Sequence, residues 1–269
     1  KTAKNIHKNL AQKNGKIVPL IAETGGLNAM VVDSSALIER ACDDIVRSAF
    51  NSAGQRCSAL RLLLVHEEIF KEVTDTLHGM MDDLLIGHPT DPSVDLGPII
   101  NPNAVKKLKN YIDQDDPCRL NMYQANIEKD LIYHWFPPTL LHLSSLDSIF
   151  EEQFGPILHV MSFNEGSLEE TLKSIDQKGY ALTFGIHTRI DSRALEAAKH
   201  ISAGNVYINR DMIGAVVETQ PFGGINLSGT GFKAGGPNYL IQFVNERTIS
   251  INTVEIGGNT ELLNQMPDD

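Results

Sequence analysis

Apolar positions along this chain follow two alternating patterns. Between residues 37 and 50 they recur at Leu37, Ile38, Ala41, Cys42, Ile45, Val46, Ala49 and Phe50. That three-and-four spacing is one face of a helix, and Asp33 or Ser34 stands where its N-cap belongs. Between such stretches lie short apolar runs at 30–32, 60–65, 139–143, 156–163, 181–187 and 205–209. They are too short for helices and predict strands buried on both faces. Further helices are predicted at 3–14, 67–85, 102–113, 167–176 and 191–201, with a short one at 239–245. Strands are also predicted at 17–21 and at 248–254. Residues 86–101 read as a Pro/Gly/Asp loop and 114–130 as a polar, irregular stretch. Residues 211–237 are Gly-rich without periodicity, more in keeping with a functional loop than a linker. Alternating helices and strands predict an α/β fold with a mainly parallel sheet. The chain opens inside a helical pattern with no cap and no preceding strand, so it is expected to be a segment of something longer.

Composition narrows the function classes. Hydrophobic residues make up 42% of the 269 positions and charged residues 21%, enough for a sizeable core. Lys and Arg total 23 against 34 Asp and Glu, a net charge of −11. Such a field repels phosphate, so no contact with nucleic acid or an anionic membrane is expected. No apolar run reaches the roughly 18 residues of a membrane span. The opening Lys1-Thr2-Ala3-Lys4 lacks the apolar region of a signal peptide. The three cysteines, Cys42, Cys57 and Cys118, are odd in number and widely spaced. They predict no disulfide framework and a reducing, cytoplasmic setting. No CxxC or HExxH pair occurs, and no metal site is expected.

Three short stretches could carry chemistry. Cys57 sits in Gly54-Gln55-Arg56-Cys57-Ser58, between a predicted helix and a predicted strand. A thiol in such a connection can be exposed and activated, although most free cysteines are small buried hydrophobes. Cys42 lies on the apolar helix face and is expected in the core, and Cys118 in a polar loop. Glu23 precedes Thr24-Gly25-Gly26 at the end of an apolar run. It is a candidate general base, or an ordinary exposed carboxylate. Glu151-Glu152-Gln153-Phe154-Gly155-Pro156 places carboxylates beside a turn, where one could hold ribose hydroxyls or simply be solvated.

Taken together and in this order, Glu-Thr-Gly-Gly at 23, Gly-Gln-Arg-Cys at 54 and Glu-Gln-Phe-Gly-Pro at 152 resemble the aldehyde dehydrogenase superfamily. Pro221-Phe222-Gly223-Gly224 and Leu227-Ser228-Gly229-Thr230-Gly231 extend the likeness. Residues 22–30 and 52–60 resemble one branch, as do Lys233-Ala234-Gly235-Gly236-Pro237, Tyr239-Leu240, Glu246-Arg247-Thr248, Asn252-Thr253 and Gly257-Gly258-Asn259. That branch is the Δ1-pyrroline-5-carboxylate (L-glutamate γ-semialdehyde) dehydrogenase module of the bifunctional proline utilization (PutA) proteins. Glu218 departs from it where a small residue is usual. So do Ile225-Asn226, in place of a Glu-Gly type pair, and Phe232, where Pro is common.

The resemblance implies oxidation of L-glutamate γ-semialdehyde to glutamate, with NAD as cofactor and a Cys57 thioester as intermediate. It implies Cys57 as nucleophile and Glu23 as the base that activates water. Glu152, Phe154 and Gly25 would be on the nicotinamide side. Ser58 with the backbone N–H groups of Gly235 and Gly236 would anchor the substrate carboxylate. Phe243 would pack on the substrate's aliphatic chain, or would simply be a core aromatic. Residues 1–22 are expected to be the end of a coenzyme domain, 23–245 the catalytic domain and 246–269 an oligomerisation strand and tail. The rest of the coenzyme domain, including the Asn of the oxyanion hole, is expected before residue 1. FAD is expected only in an upstream proline dehydrogenase module, and the parent is expected to be a homo-oligomer. The segment alone is expected to be inactive. Competing readings are a dehydrogenase for another aldehyde, or a catalytically silent assembly module.

Overall fold

One seven-stranded sheet organises the computed structural model, which describes residues 2–126, 134–216 and 218–252. In chain order its strands are β1 (Ala29–Val32), β2 (Leu62–His66), β3 (Arg119–Gln124), β4 (Thr139–Leu143), β5 (Ile157–Phe163), β7 (Thr183–His187) and β8 (Asn205–Ile208). Across the sheet the order is β3-β4-β5-β2-β1-β7-β8, and only β3 runs antiparallel. A separate two-stranded piece pairs β6 (Tyr180–Ala181) with β9 (Ile225–Asn226). The α/β fold with a mostly parallel sheet is the one the alternation predicts.

The central strands are apolar on both faces because both faces are covered. Val31, Leu62, Leu64, Phe184 and Ile186 pack in one cluster with Leu108 of α4 (Pro102–Ile112), Leu172 and Ile175 of α5 (Leu168–Asp176) and Ala194 and Ala197 of α6 (Asp191–Lys199). Met30, Val32, Leu63 and Val65 pack on the other face with Ala41, Cys42, Ile45 and Ala49 of α2 (Ile38–Phe50) and Val73, Leu77 and Met81 of α3 (Phe70–Asp82).

Several local expectations change. The apolar run 17–21 forms no strand, and Ile17 is fully exposed. Its apolarity has no sheet edge to pair with, and Pro19 removes a donor. The preceding helix, α1 (Thr2–Gln12), has no buried residue. Helix α2 starts after Leu37 instead of Asp33 or Ser34. The Asp33 carboxylate is engaged elsewhere, accepting from Ser35, Thr188 and Arg193 at 2.6–2.9 Å. Burial pushes its pKa up, but these bonds outweigh burial and hold it below the usual carboxylate value. Strand β3 falls where irregular chain is expected. As an edge strand with Leu120 and Met122 exposed, it carries no buried periodicity to read. The 181–187 run divides after Ala181, which belongs to β6. The 239–245 helix is a single 3-10 turn at Leu240–Phe243. Residues 248–252 are exposed and not a strand, and 253–254, with the rest of the expected tail, lie outside the described residues. Among the described residues, no helix is long and apolar enough to cross a membrane and no cluster could hold a metal ion.

His159 is buried in β5. Its Nδ1–H donates to the Arg61 carbonyl (2.8 Å), which leaves Nε2 to accept from the Tyr111 hydroxyl (2.8 Å). Burial lowers its pKa to about 4. Between that value and 6.5 the unfolded chain binds the proton and the folded chain does not, so stability falls as pH drops through this window. The expected loss is about 3 kcal/mol. Urea midpoints at about pH 7 and about pH 4.5 should diverge less in a His159→Gln variant than in the native chain.

Candidate active site

The candidate residues gather at the amino edge of the sheet, on segments that feed parallel strands. Residues 23–28 lead into β1, 54–61 into β2 and 152–156 into β5. Open parallel sheets generally bind ligands at their carboxyl ends. Here that end is occupied between β1 and β7 by the Asp33–Thr188–Arg193 cluster.

Cys57 sits on a turn bent sharply by three left-handed residues in succession, Ser52 (φ 56°), Ala53 (φ 52°) and Gly54 (φ 65°). Two of these are not glycine, a conformation costing about 1–2 kcal/mol each. Side chains from below hold the bend. Arg61 is fully buried and donates from Nη2 to the carbonyls of Gly54 (2.7 Å) and Arg56 (3.1 Å), and from Nη1 to that of Gly155 (2.9 Å). Asn28 donates to the carbonyls of Cys57 and Ala59, both at 2.8 Å, while its own oxygen accepts from the Thr183 N–H. The turn therefore presents Cys57 exposed, whereas Cys42 is buried in α2. Burial pushes the Cys42 thiol up to about 12. The Cys57 thiol is also raised, by the packing around its sulfur and then by the Glu152 and Glu23 charges, against the Ser58 and Cys57 N–H groups. At neutral pH its resting form is the protonated thiol.

Glu23 is exposed and its backbone is laced to the Gly-rich loop. It bridges Gly229, Thr24 N–H donates to the Ser228 carbonyl (3.1 Å), and Thr230 N–H donates to the Ala22 carbonyl (3.0 Å). Glu152 is mostly buried. Its Oε1 lies 3.4 Å from Arg61 Nη2, and Gly26 N–H also bonds the carboxylate. Burial raises its pKa, opposed by Arg61. A Cβ on Gly25 would stand 1.6 Å from Glu152 Oε2, so only glycine leaves that seat open. Phe154 is half-exposed, with the Arg61 guanidinium 5.5 Å from its ring centre. A cavity of about 550 Å³ opens beside these groups, lined by Thr24, Gly25, Glu152, Tyr180, Gly229 and, from α1, Lys4.

The remaining expected residues are less tightly joined. Ser58 is buried next to Cys57. Gly235 has a left-handed φ of 73°, and Gly236 N–H already donates to the Lys233 carbonyl (3.0 Å). That turn is clasped to Phe222 by paired bonds to Ala234. Phe243 is 61% exposed and meets Tyr239 edge-on at 5.4 Å, so it is no core aromatic. Among the described residues, no hydrogen bond or ring contact joins the 233–236 turn or Phe243 to Cys57. Glu218, where a small residue is usual, has a left-handed φ of 70°, as does Asn226 at 59°. Sequence reasoning missed Arg61 and Asn28. The available signal was a cation inside an otherwise apolar run, Ala59-Leu60-Arg61-Leu62-Leu63.

Residues 1–249 match the aldehyde dehydrogenase family model. The chain is 43% identical over 251 residues to the bifunctional protein PutA of Klebsiella aerogenes, covering 90% of this chain and 19% of that one. It is 35% identical over 234 residues to the 1-pyrroline-5-carboxylate dehydrogenase of Staphylococcus saprophyticus, covering 86% and 45%. Among solved structures, a Bradyrhizobium japonicum PutA mutant superimposes with a TM-score of 0.89 at 44% identity, covering 95% of this chain and 26% of that one. A Thermus 1-pyrroline-5-carboxylate dehydrogenase with bound NAD gives 0.82 at 28% identity, covering 91% and 48%. The chain thus spans about a fifth of the PutA relative and under half of the 1-pyrroline-5-carboxylate dehydrogenase.

Proposed function

The chain belongs to the aldehyde dehydrogenase family, and from that premise we propose that it forms the catalytic part of an L-glutamate γ-semialdehyde dehydrogenase within a longer protein. The carrying observation is the joint placement of an exposed Cys57, Glu23 and a carboxylate seated on glycine at one sheet edge. Similarity to PutA and to 1-pyrroline-5-carboxylate dehydrogenase supports the substrate.

In this reading the Cys57 sulfur attacks the aldehyde carbon and its proton leaves to solvent, which its exposure permits. The Cys57 backbone N–H stabilises the oxygen that gains charge. Glu152 and Gly25 would hold the ribose of a nicotinamide coenzyme, because both line the cavity of about 550 Å³ and the carboxylate can accept from ribose hydroxyls. Phe154 flanks the same side. NAD, when bound, supplies the hydride acceptor. Cys57 then carries the acyl group as a thioester, Glu23 takes a proton from water, and the attacking oxygen displaces the sulfur to release glutamate.

Ser58, with the 235–236 turn, is proposed to hold the substrate carboxylate. In the full-length protein, Ser58→Ala should weaken recognition of glutamate semialdehyde by about 1–3 kcal/mol. An aliphatic aldehyde without a carboxylate should be affected little. Equal losses in kcat/KM for both would remove Ser58 from recognition.

The division at residues 22 and 245, the homo-oligomeric parent and the reducing cytoplasm belong to the same proposal. So does inactivity of these 269 residues alone, since the cavity's α1 wall has no buried residue to hold it in place.

A further inference from the structure

Two of the three segments of the candidate site are joined by a backbone bond, Arg61 N–H donating to the Asn28 carbonyl (3.0 Å), but among the described residues none holds the 152–156 arm to the Cys57 turn. All three meet at one buried ion pair. Arg61 has no exposed surface, and its guanidinium reaches two carbonyls of the Cys57 turn, one carbonyl of the 152–156 arm and the Glu152 carboxylate. The same carboxylate accepts from Gly26 N–H and fills the space above Gly25, two residues after Glu23. Glu152 is the one carboxylate paired with Arg61 among the described ion pairs.

A fully buried guanidinium is strongly held to such partners, because an unpaired charge in the interior is costly. Its planar fork can bond several carbonyls at fixed angles, which an ammonium cannot do. Moving Glu152 therefore disturbs the group that fixes the carbonyls of Gly54 and Arg56 on the Cys57 turn.

We infer that Arg61 is a positioning residue that couples the Glu152 arm to the Cys57 turn, so that the state of the carboxylate sets the reactivity of the thiol. This goes beyond the dehydrogenase reading and rests on it only for the meaning of Cys57. In the native chain the Glu152 carboxylate, held by Arg61 and Gly26 N–H, bears on the Cys57 thiol through its charge and disfavours thiolate. Without Arg61 it keeps only the Gly26 N–H bond, and its charge weighs less on Cys57.

The test is the rate of iodoacetamide labelling of Cys57 across pH in the full-length protein, read by peptide mapping with Cys118 as internal reference. It needs neither coenzyme nor substrate, so its failure is separate from any failure of the dehydrogenase proposal. Glu152→Gln should speed Cys57 labelling in the native background. In Arg61→Met, a second change Glu152→Gln should have little effect, a non-additivity of about threefold or more for groups in contact. Should Arg61→Met fail to fold, Arg61→Lys keeps the charge without the fork and should lower the same non-additivity. Additive effects in the variant that folds would overturn the coupling, as would Cys57 and Cys118 rates that change in parallel.

Discussion

Replacing Glu23 by Gln in the full-length protein should lower steady-state turnover by about 10²–10⁴-fold while leaving a burst of NADH, one per Cys57. Glu23 lies exposed at the sheet edge, with its backbone pinned to Gly229, and its charge is felt at the Cys57 sulfur. A carboxylate so placed can draw a proton from water at the acyl carbon but is not needed to form the C–S bond. Gln keeps the shape and loses the basicity, so acylation proceeds and hydrolysis stalls. Rapid-quench or stopped-flow measurement of NADH separates the two phases. A burst reduced as much as turnover would place Glu23 before thioester formation.

Gly54→Ala should cost about 2–5 kcal/mol of stability, from left-handed strain and overpacking. The added Cβ would lie 2.3 Å from the Gly155 carbonyl oxygen and 2.9 Å from that of Ala49. Both are backbone atoms, so neither can yield as a flexible side chain would. Displacing the turn by an ångström should also lower turnover about 10²-fold in whatever fraction folds. Gly25→Ala is the instructive contrast. Its Cβ meets the end of the Glu152 side chain, which can swing aside. The fold should persist with a smaller loss of stability than Gly54→Ala, since Glu152 moves off the buried Arg61 charge, while coenzyme affinity falls. Thermal unfolding and NAD titration of both variants, side by side, check the pair of expectations.

The sheet and its helices were legible because burial on both faces writes continuous apolar runs, as in Leu62–Val65, between amphipathic helices such as Ile38–Phe50. Motifs that fix residue type name the candidates Glu23, Cys57 and Glu152, whose segments the fold brings to one sheet edge. Features set by distant contacts were not. Ile17–Ile21 has the apolarity of a strand and no partner, while Arg119–Gln124 has a partner and little buried apolarity. Asp33 looks like a helix cap until Arg193, far along the chain, claims its carboxylate. Arg61 looks like an interruption of a strand, and only the folded chain shows it beneath Gly54 and against Glu152.

The central claim is that Cys57 carries the substrate as a thioester which Glu23 helps to hydrolyse. The most direct measurement is acid-quench peptide mass spectrometry of the full-length Glu23→Gln protein after mixing with NAD+ and glutamate semialdehyde. A glutamyl adduct on the Cys57 peptide, absent without NAD+ and absent in Cys57→Ala, is the predicted result. An adduct on Cys42 or Cys118, or normal turnover by Cys57→Ala, would contradict the account.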